Sequence, residues 1–541
     1  MAKPAKKRIL IDQTTRSAAD DDSKSLAKKF ASHELVFGIV GHVGSGTSTI
    51  AETLENVLNE LQYDGNTYQC EIIKAREVIE NWADEVGEEY PKTKPFSIDD
   101  VKQFQDLGDK MRKDHSDHAA VARHGVRKVR EIRAHFQGAE LVKEMPIIPD
   151  GHPRAFILDS IRHPAEVKLL RHIYRDAFVL IGVVCEHGVR KTRISEKYRD
   201  AGLDRADEFM RRDAKAGPKH GQRVSDAFHL SDFFIDNTAQ RYLENDPKKS
   251  NPDWDINESL LRLINLVSHE KIERPKLSET AMYKAAGAGM RSACLSRQVG
   301  AALVDSEGNI ISTGTNEVPK AGGGVYGESF DEDAEDDRCF ITKKICSNTV
   351  EQSKISKQIA EDLKPFLAEG VKDVELVQTL KDGRVGGLLE FSRAVHAEMD
   401  ALLAAGRQGK STIGSRLYVT TFPCHYCARH IVSAGVDEVQ FIEPYPKSKA
   451  FDLHGDSILN DDAKNEWVAP SLGGKKVLFT PFTGVAPRMY RRAFQKDRNL
   501  KNGDTGEMNI QLPEWGSPYD VSQVSYAEFE VRLTESSSNN E

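Results

Sequence analysis

Apolar runs alternate with helical patterns through the first half of the chain. Residues 35–40 (LVFGIV) predict a buried strand, and a helical pattern spans 49–61 after an intervening glycine-rich loop. Apolar runs at 155–159, 177–184 and 232–237 predict further buried strands. Because strands that alternate with helices form parallel sheets, this half of the chain is predicted to be an α/β domain.

A second set of elements follows the polar segment 269–276 (HEKIERPK), which is the best domain boundary. A helical pattern at 277–295 leads into a predicted hairpin with its turn at 306–309 (SEGN). Beyond a long insertion, the pattern predicts a helix starting near 397, a strand at 416–420, a helix at 424–433, and a strand and helix within 477–494 that complete this domain.

The chain therefore divides into four predicted parts. These are a polar arm at 1–30, an N-terminal domain at 31–270, a second domain at 271–500 with an insertion at 318–390, and a C-terminal extension at 501–541 with a polar tail. A chain of 541 residues is long enough for two or three separate cores.

Composition narrows the functional classes. With 75 Lys and Arg against 84 Asp and Glu, the formal net charge is -9, so a polynucleotide would need a local basic patch. No apolar run approaches the roughly 20 residues that span a bilayer. The seven dispersed cysteines do not suit a disulfide-stapled secreted fold. We therefore expect a cytoplasmic protein.

The loop at 41–48 (GHVGSGTS) has the form of a phosphate cradle, because glycines let backbone N–H groups converge on an anion at a helix N-terminus. Its spacing matches G-x-x-x-x-G-K-[ST], except that Thr47 occupies the lysine position. Without that lysine, phosphoryl transfer is in doubt, whereas binding of ATP, GTP or a deoxynucleotide with Mg²⁺ is expected. The residues predicted to bind the nucleotide are Gly41, Gly44, Ser45, Gly46, Thr47 and Ser48.

Together with the run DSIRHPAE at 159–166, this loop resembles the P-loop nucleoside and nucleotide monophosphate kinases. The resemblance implies that the acid ending this strand lies near the phosphates and that a cationic lid closes over them. Lys191, Arg193, Arg211 and Arg212 are candidate lid residues, and a solvated helix face is the alternative interpretation.

The strongest chemical signal is H-A-E at 396–398 followed by P-C-H-Y-C at 423–427. His396, Cys424 and Cys427 are predicted zinc ligands at two helix N-termini, where the helix dipole favours thiolates. Three ligands leave zinc a fourth position for water, as in catalytic sites. Glu398 is predicted to move the proton of that water to the ring nitrogen and the departing amine. H-x-E with P-C-x-x-C is the signature of zinc deaminases.

Two other interpretations compete with a catalytic zinc. A structural zinc site needs a fourth ligand, which Cys294, Cys339 or Cys346 could supply. A redox Cys-x-x-Cys pair would leave His396 and Glu398 unexplained. Cys339 and Cys346 could also form a second metal site, although ordinary reduced cysteines are the more common finding.

Residues 277 to about 490 resemble the cytidine and deoxycytidylate deaminase family, through the segments SRQVGAALV (296–304), GTN (314–316), HAEMDAL (396–402) and TTFPCHYCARHIV (420–432). The resemblance implies an α/β/α domain with zinc between two helix N-termini, and a homo-oligomer. It also implies that Asn316 contacts the sugar or base of the substrate. Arg297 and Lys320 are possible phosphate contacts, and Asp400 stands where most deoxycytidylate deaminases have Asn.

A degenerate P-loop domain followed by such a deaminase domain resembles the bacterial anti-phage dCTP deaminases over most of the chain. The resemblance implies conversion of dCTP and dCMP to dUTP and dUMP, depletion of dCTP during phage replication, regulation through the P-loop domain, and restraint by a small non-coding RNA. The alternatives are a bifunctional kinase-deaminase of pyrimidine metabolism and a polynucleotide cytidine deaminase.

Overall fold

The computed structural model describes residues 31–509 with short gaps, and then residues 526–528 and 530–531. The gaps are 64, 143–144, 199–201, 215–219, 244–245, 270, 369, 446–447, 461–466 and 497. The polar arm at 1–30 and the polar tail at 535–541 lie outside the described residues. Among the described residues no helix is both long and apolar enough to cross a bilayer.

The first sheet is built mainly from the N-terminal apolar runs. Its parallel strands are β1 (Glu34–Gly41), β4 (Gln69–Lys74), β5 (Arg154–Asp159), β6 (Phe178–Val184) and β7 (Phe233–Asp236), arranged as β7-β6-β1-β5-β4. Every residue of the three central strands is buried, because helices cover both faces of the sheet. The predicted buried strands are therefore confirmed. Two short hairpins accompany this sheet, β2 (Gln62–Tyr63) with β3 (Asn66–Thr67), and β8 (Tyr242–Leu243) with β9 (Asp246–Ser250).

Alternate residues of β1 point into two different cores. Leu35, Phe37 and Ile39 pack in one cluster, and Val36 and Val40 in another. The first cluster is covered by helices near the loop and near the domain boundary. The second includes residues of the helices at 75–86, 98–114, 120–137, 164–174 and 224–228, and the helices at 187–197 and 203–214 pack in a separate small cluster. The helices are α1 (Thr47–Asn59), α2 (Ala75–Val86), α3 (Ile98–Asp114), α4 (Ala120–Gln137), α5 (Pro164–Tyr174), α6 (His187–Lys197), α7 (Leu203–Ala214), α8 (Val224–Phe228) and α9 (Ile256–Ser268).

The second sheet is mixed. Its strands β10 (Gly300–Val304), β11 (Ile310–Thr315), β12 (Arg416–Thr421), β13 (Glu438–Glu443), β14 (Ile458–Asn460) and β15 (Val477–Pro481) are ordered β11-β10-β12-β13-β15-β14. The hairpin strand β10 is antiparallel to both neighbours, and the other pairs are parallel. The flanking helices are α10 (Leu277–Gly289), α13 (Ala397–Arg407), α14 (His425–Ser433) and α15 (Ala450–His454). The chain is thus a mixed α/β protein with two sheets rich in parallel strands.

The helix predicted at 277–295 is wrong at its C-terminal end. It stops at Gly289 because the chain then folds back to start β10. The two segments touch at Gly300, where a Cβ would lie 1.8 Å from the carbonyl oxygen of Ala285. If α10 continued beyond Gly289, the chain could not turn back to pair as β10 beside it.

The chain crosses back to the first sheet near its end. Strand β16 (Gly484–Val485) pairs antiparallel with β7, and helix α16 (Pro487–Phe494) packs Met489 and Ala493 into the first unit's core. This differs from the predicted division, in which residues up to 500 complete the second domain. We define the first unit as residues 31–268 with 484–494 and 526–531, and the second unit as 277–481.

The insertion at 318–390 folds mainly as two helices that pack against each other. Its main helices are α11 (Ser347–Leu363) and α12 (Asp373–Asp382). Side-chain amides of Asn348 and Gln352 both donate to the carbonyl oxygen of Leu388, at 2.9 and 2.8 Å. These hydrogen bonds fix the segment that leads into residue 396.

Candidate active site

Two helix N-termini in the second unit bring the predicted ligands together. His396 and Cys424 are the N-cap residues of α13 and α14, both with extended backbone, and Cys427 lies in the first turn of α14. Helix α13 packs against β11 at Gly314, where a Cβ would lie 2.1 Å from the carbonyl oxygen of Ala397. Only glycine permits this approach of strand and helix.

The three predicted ligands form a compact donor set. The Nδ1 atom of His396 lies 3.3 Å from Sγ of Cys424 and 3.4 Å from Sγ of Cys427. All three donor atoms lie within 4.8 Å of one another, and within the described residues no other group of His, Cys, Asp or Glu meets this criterion. Both cysteines are buried and carry no disulfide. An imidazole nitrogen and two sulfurs in this arrangement fit a tetrahedral zinc ion with one open position.

The electrostatics of the donor set favour a bound cation. Hydrogen bonding with Cys427 lowers the pKa of Cys424 to about 4. Hydrogen bonding with Cys424 raises the pKa of His396 to about 9. The lowered pKa of Cys424 favours its thiolate, which is the form that ligates a metal cation.

Glu398 lies in the first turn of α13, beside the ligands and facing the same cavity. Its side chain is 4% exposed, and burial raises its pKa to about 7. A carboxyl group with a pKa near neutrality can both accept and donate a proton at neutral pH. Its position and its acidity suit a group that shuttles a proton.

The cavity over this cluster has a volume of about 240 Å³. Its walls come from the loop before β10, the end of β11, the insertion and the two helix N-termini. The lining residues are Cys294, Ser296, Arg297, Val299, Asn316, Asn348, Leu389, Ser392, Ala394, His396, Ala397, Glu398, Thr421, Phe422, Cys424 and Tyr445.

Comparison with known proteins identifies the second unit. The family model for the cytidine and deoxycytidylate deaminase zinc-binding region matches residues 275–443. The chain is 30% identical over 162 residues to the deoxycytidylate deaminase of Enterobacteria phage T4, which covers 29% of this chain and 73% of the phage protein. The chain belongs to the deoxycytidylate deaminase family. It is a hydrolytic deaminase that acts on C–N bonds, of the zinc-binding type.

Other known proteins are similar in sequence or structure to parts of the chain. The probable deoxycytidylate deaminase of Drosophila melanogaster is 27% identical over 145 residues, covering 27% of this chain and 48% of that protein. The chain is also similar to a UPF0200 protein of Halobacterium salinarum, with 32% identity over 136 residues that cover 24% of this chain and 70% of that protein. The crystal structure of apo dCMP deaminase from cyanophage S-TIM5 is 18% identical with a TM-score of 0.21, covering 39% of this chain and all of that one.

The predicted substrate residues of the deaminase occupy different positions relative to the cavity. Asn316 lines it, but its amide is engaged by the backbone, since Oδ1 accepts from the N–H of Val299 and Nδ2 donates to the carbonyl of Arg297, both at 2.7 Å. Arg297 lies half-exposed at the cavity wall and pairs with Glu443 at 2.8 Å. Lys320 is exposed and is not among the lining residues.

Asp400, which stands where most deoxycytidylate deaminases have Asn, hydrogen-bonds to the backbone at the end of β11. The residue is 6% exposed, and its carboxylate accepts a hydrogen bond of 3.1 Å from the backbone N–H of Thr315. It thereby ties α13 to the end of β11, one residue before Asn316. Either Asn or Asp can accept this bond.

Asn348 lines the cavity although sequence analysis did not single it out. Its Nδ2 donates to Leu388, and its Oδ1 is buried without a hydrogen-bond partner within the described chain. A free acceptor in the wall of the cavity suits a donor on the substrate. No local sequence signal marks this residue, since it belongs to a polar helix inside the insertion.

The loop at 41–48 in the first unit forms a compact turn at the start of α1. Gly44 and Gly46 have φ angles of 83° and 85°, which favour glycine. Ser48 Oγ donates to Asp159 Oδ2 at 2.6 Å, Thr47 Oγ1 lies 3.3 Å from Ser160 Oγ, and the amide of Asn237 holds the carbonyl of Ser45. The strand, loop and helix order predicted here is confirmed.

The remaining predicted cysteines and lid residues have local partners. Cys339 and Cys346 belong to no metal-type cluster among the described residues, and their Sγ atoms lie 3.5 Å from Arg393 and Ser296. The lid candidates contact neighbouring protein groups. Lys191 pairs with Asp207, Arg193 donates to the carbonyls of residues 237–239, Arg211 donates to the carbonyl of Asp207, and Arg212 pairs with Asp106.

Proposed function

We propose that the protein hydrolytically deaminates deoxycytidine nucleotides, dCMP and dCTP, in the cytoplasm. The observation that carries this proposal is the convergence of His396, Cys424 and Cys427 on one wall of a cavity that also buries Glu398. The membership of the chain in the deoxycytidylate deaminase family supports the choice of substrate base and sugar.

The chain's own residues would divide the chemistry as follows. His396, Cys424 and Cys427 would hold the zinc ion, which when bound supplies a Lewis acid that activates water at neutral pH. Glu398 would accept a proton from the attacking water and give it to the pyrimidine nitrogen, and it would then carry a second proton, from the hydroxyl group added to the ring, to the departing amine. Phe422 and Leu389 line the cavity and would exclude bulk water from the ring.

The phosphates of the substrate would extend toward the half-exposed edge of the cavity. Arg297 is placed for this contact if it exchanges its partner, since Glu443 now accepts from its guanidinium. Asn316, which was expected to contact the sugar or base, would instead fix residues 297–299 beside the substrate, because both ends of its amide bind the backbone of this segment.

Ammonia release from a substrate series tests this function. Zinc-loaded protein is incubated with dC, dCMP, dCDP, dCTP, CTP and single-stranded DNA, with His396→Ala as a control prepared in the same way. We expect ammonia from dCMP or dCTP and none from DNA. Deamination of DNA alone, or equal activity in the control, would contradict the proposal.

We further propose that the loop at 41–48 binds a nucleotide with Mg²⁺ and regulates the deaminase. The positive-φ glycines, the hydrogen bond from Ser48 to Asp159, and the start of α1 at the loop support a phosphate site. Thr47 in place of lysine argues for binding rather than transfer. Transfer of phosphate from ATP to a nucleoside or monophosphate would instead favour the bifunctional alternative.

The biological role that we propose is depletion of dCTP during phage infection, in an oligomer restrained by a small RNA. The support is the combination of a degenerate P-loop unit and a deaminase unit in one chain. Cells expressing the protein should lose dCTP and gain dUMP after infection, measured in extracted nucleotide pools. Unchanged pools in infected cells that contain active enzyme would contradict this role.

A further inference from the structure

A cavity of about 200 Å³ lies beside the loop at 41–48, away from the deaminase cluster. Ser48, Lys74, Asp159 and Arg112 contribute polar groups to its wall, and Phe104 and Phe209 contribute aromatic rings. Because α2 and α3 close one side of it, the cavity is bounded by the predicted phosphate loop and by helices of the same unit.

The loop itself brings no cation to this cavity. Thr47 replaces the usual lysine, is 9% exposed, and has its hydroxyl 3.3 Å from that of Ser160. Bound phosphate oxygens would therefore need positive charge from another element.

Lys74 is placed to supply that charge. It is the last residue of β4, and parallel pairing sets it opposite Asp159 at the end of β5. Within the described residues its ammonium group forms no ion pair or hydrogen bond, although its charge acts on the pKa of Glu55. The three arginines in the cavity wall each have a carboxylate neighbour, since Arg112 pairs with Asp109 and Glu166, Arg162 pairs with Asp213, and Arg76 lies 3.4 Å from Glu80.

Two buried side chains in the same wall can form further bonds with a ligand. Arg112 is 3% exposed, and its Nε has no hydrogen-bond partner in the described part of the chain. Asp159 is 4% exposed, and its carboxylate accepts from the hydroxyls of Ser48 and Ser160 but forms no ion pair there. The free N–H of Arg112 could donate to an anion, and the carboxylate of Asp159 could bind a divalent cation that accompanies it.

We infer that this cavity binds the phosphate groups of a nucleoside phosphate with Mg²⁺, and that Lys74 provides from the neighbouring strand the positive charge absent at Thr47. The inference rests on the proposed nucleotide binding by the loop and names a residue outside the loop motif.

Calorimetric titration of the full-length, zinc-loaded protein with magnesium tripolyphosphate and with magnesium ADP tests this inference. The variants are Lys74→Ala, Lys74→Arg, Ser48→Ala and Lys168→Ala. Lys168 is an exposed residue of α5, so its substitution removes the same charge at a position outside the cavity. We expect Lys74→Ala to raise the Kd of both ligands by about tenfold to a hundredfold, the effect of losing one charged hydrogen bond. Lys74→Arg should largely restore binding, and Lys168→Ala should match the wild type.

The outcomes separate the inference from the function on which it rests. No binding by the wild type would overturn both. Wild-type binding that Lys74→Ala leaves unchanged would overturn the role of Lys74 and keep the loop as a nucleotide site. Tripolyphosphate binding that is insensitive to Ser48→Ala would place the ligand elsewhere and overturn the assignment of the cavity. If Lys74→Ala unfolds at a lower temperature than the wild type, Lys74→Gln replaces it in the same comparison.

Discussion

Single side chains around the deaminase cavity divide into those that face the substrate and those that fix the wall. Asn316 belongs to the second kind, because both ends of its amide bind the backbone of residues 297–299. Asn348 belongs to both kinds, since its Nδ2 donates to the carbonyl oxygen of Leu388 while its Oδ1, at the cavity, has no hydrogen-bond partner among the described residues. The distinction predicts different kinetic effects for these residues.

Asn348→Ala should raise KM for dCMP by up to about tenfold, the value of one neutral hydrogen bond, with a smaller effect on kcat. Gln352→Ala is the matched control, because it removes an equivalent hydrogen bond to Leu388 from a residue that does not line the cavity. Steady-state measurements of KM and kcat for dCMP in the two variants test whether Asn348 contacts the substrate. Equal effects would show that Asn348 acts only by fixing the insertion.

Sequence reasoning at this scale predicted the residues that carry a chemical motif. The H-x-E and P-C-x-x-C motifs together predict the cluster of His396, Cys424 and Cys427, whereas helix geometry alone only places the groups within each motif. Asn348 was missed because its role depends on a contact between the insertion and the cavity. Asn316 was placed at the cavity, but only the folded chain shows that the backbone engages its amide.

At the scale of elements, the junction between β11 and α13 positions the site. Gly314 permits the close approach, and the carboxylate of Asp400 accepts from the N–H of Thr315 across it. The substitution of Asn by Asp in the HAEMDA segment is thus compatible with the same junction, because both side chains offer an acceptor oxygen.

Asp400→Ala should lower the free energy of unfolding by about 1 to 3 kcal/mol, since a buried backbone N–H loses its partner. Asp400→Asn should stay close to the wild type, because its amide oxygen can accept the same bond. Urea denaturation of the zinc-loaded variants measures both. An equal loss in the two variants would mean that the charge, and its weak pairing with Arg407, matters more than the hydrogen bond.

For the molecule as a whole, the two units share a core. Ala281, Met282 and Ala302 of the second unit belong to the same hydrophobic cluster as Phe156 and Phe178 of the first sheet. The polar segment near 270 is therefore a boundary between sheets rather than a flexible linker. Composition alone suggested separate domains, because a shared core depends on contacts between residues far apart in the chain.

The chain also returns to the first unit beyond residue 525. Arg133, fully buried, pairs with Glu34 and Glu530 at 2.7 Å, and Tyr174 and Tyr526 donate to these carboxylates. Glu530→Ala should lower the free energy of unfolding by about 3 to 5 kcal/mol, because it removes one partner of a buried charge network. The exposed Glu528→Ala should change it little. Similar denaturation curves for the two variants would contradict a structural role for residues 526–531.

The most direct test of the central claim measures ammonia release from dCMP and dCTP by Glu398→Gln protein that carries the same zinc content as the wild type. Glu390→Gln, an exposed carboxylate that bonds Tyr426 at the side of the site, is the matched control. We predict that Glu398→Gln loses about 10²- to 10⁴-fold of the rate, the contribution of a general acid-base group, while the control retains it. Undiminished deamination by zinc-loaded Glu398→Gln would contradict the proposed site.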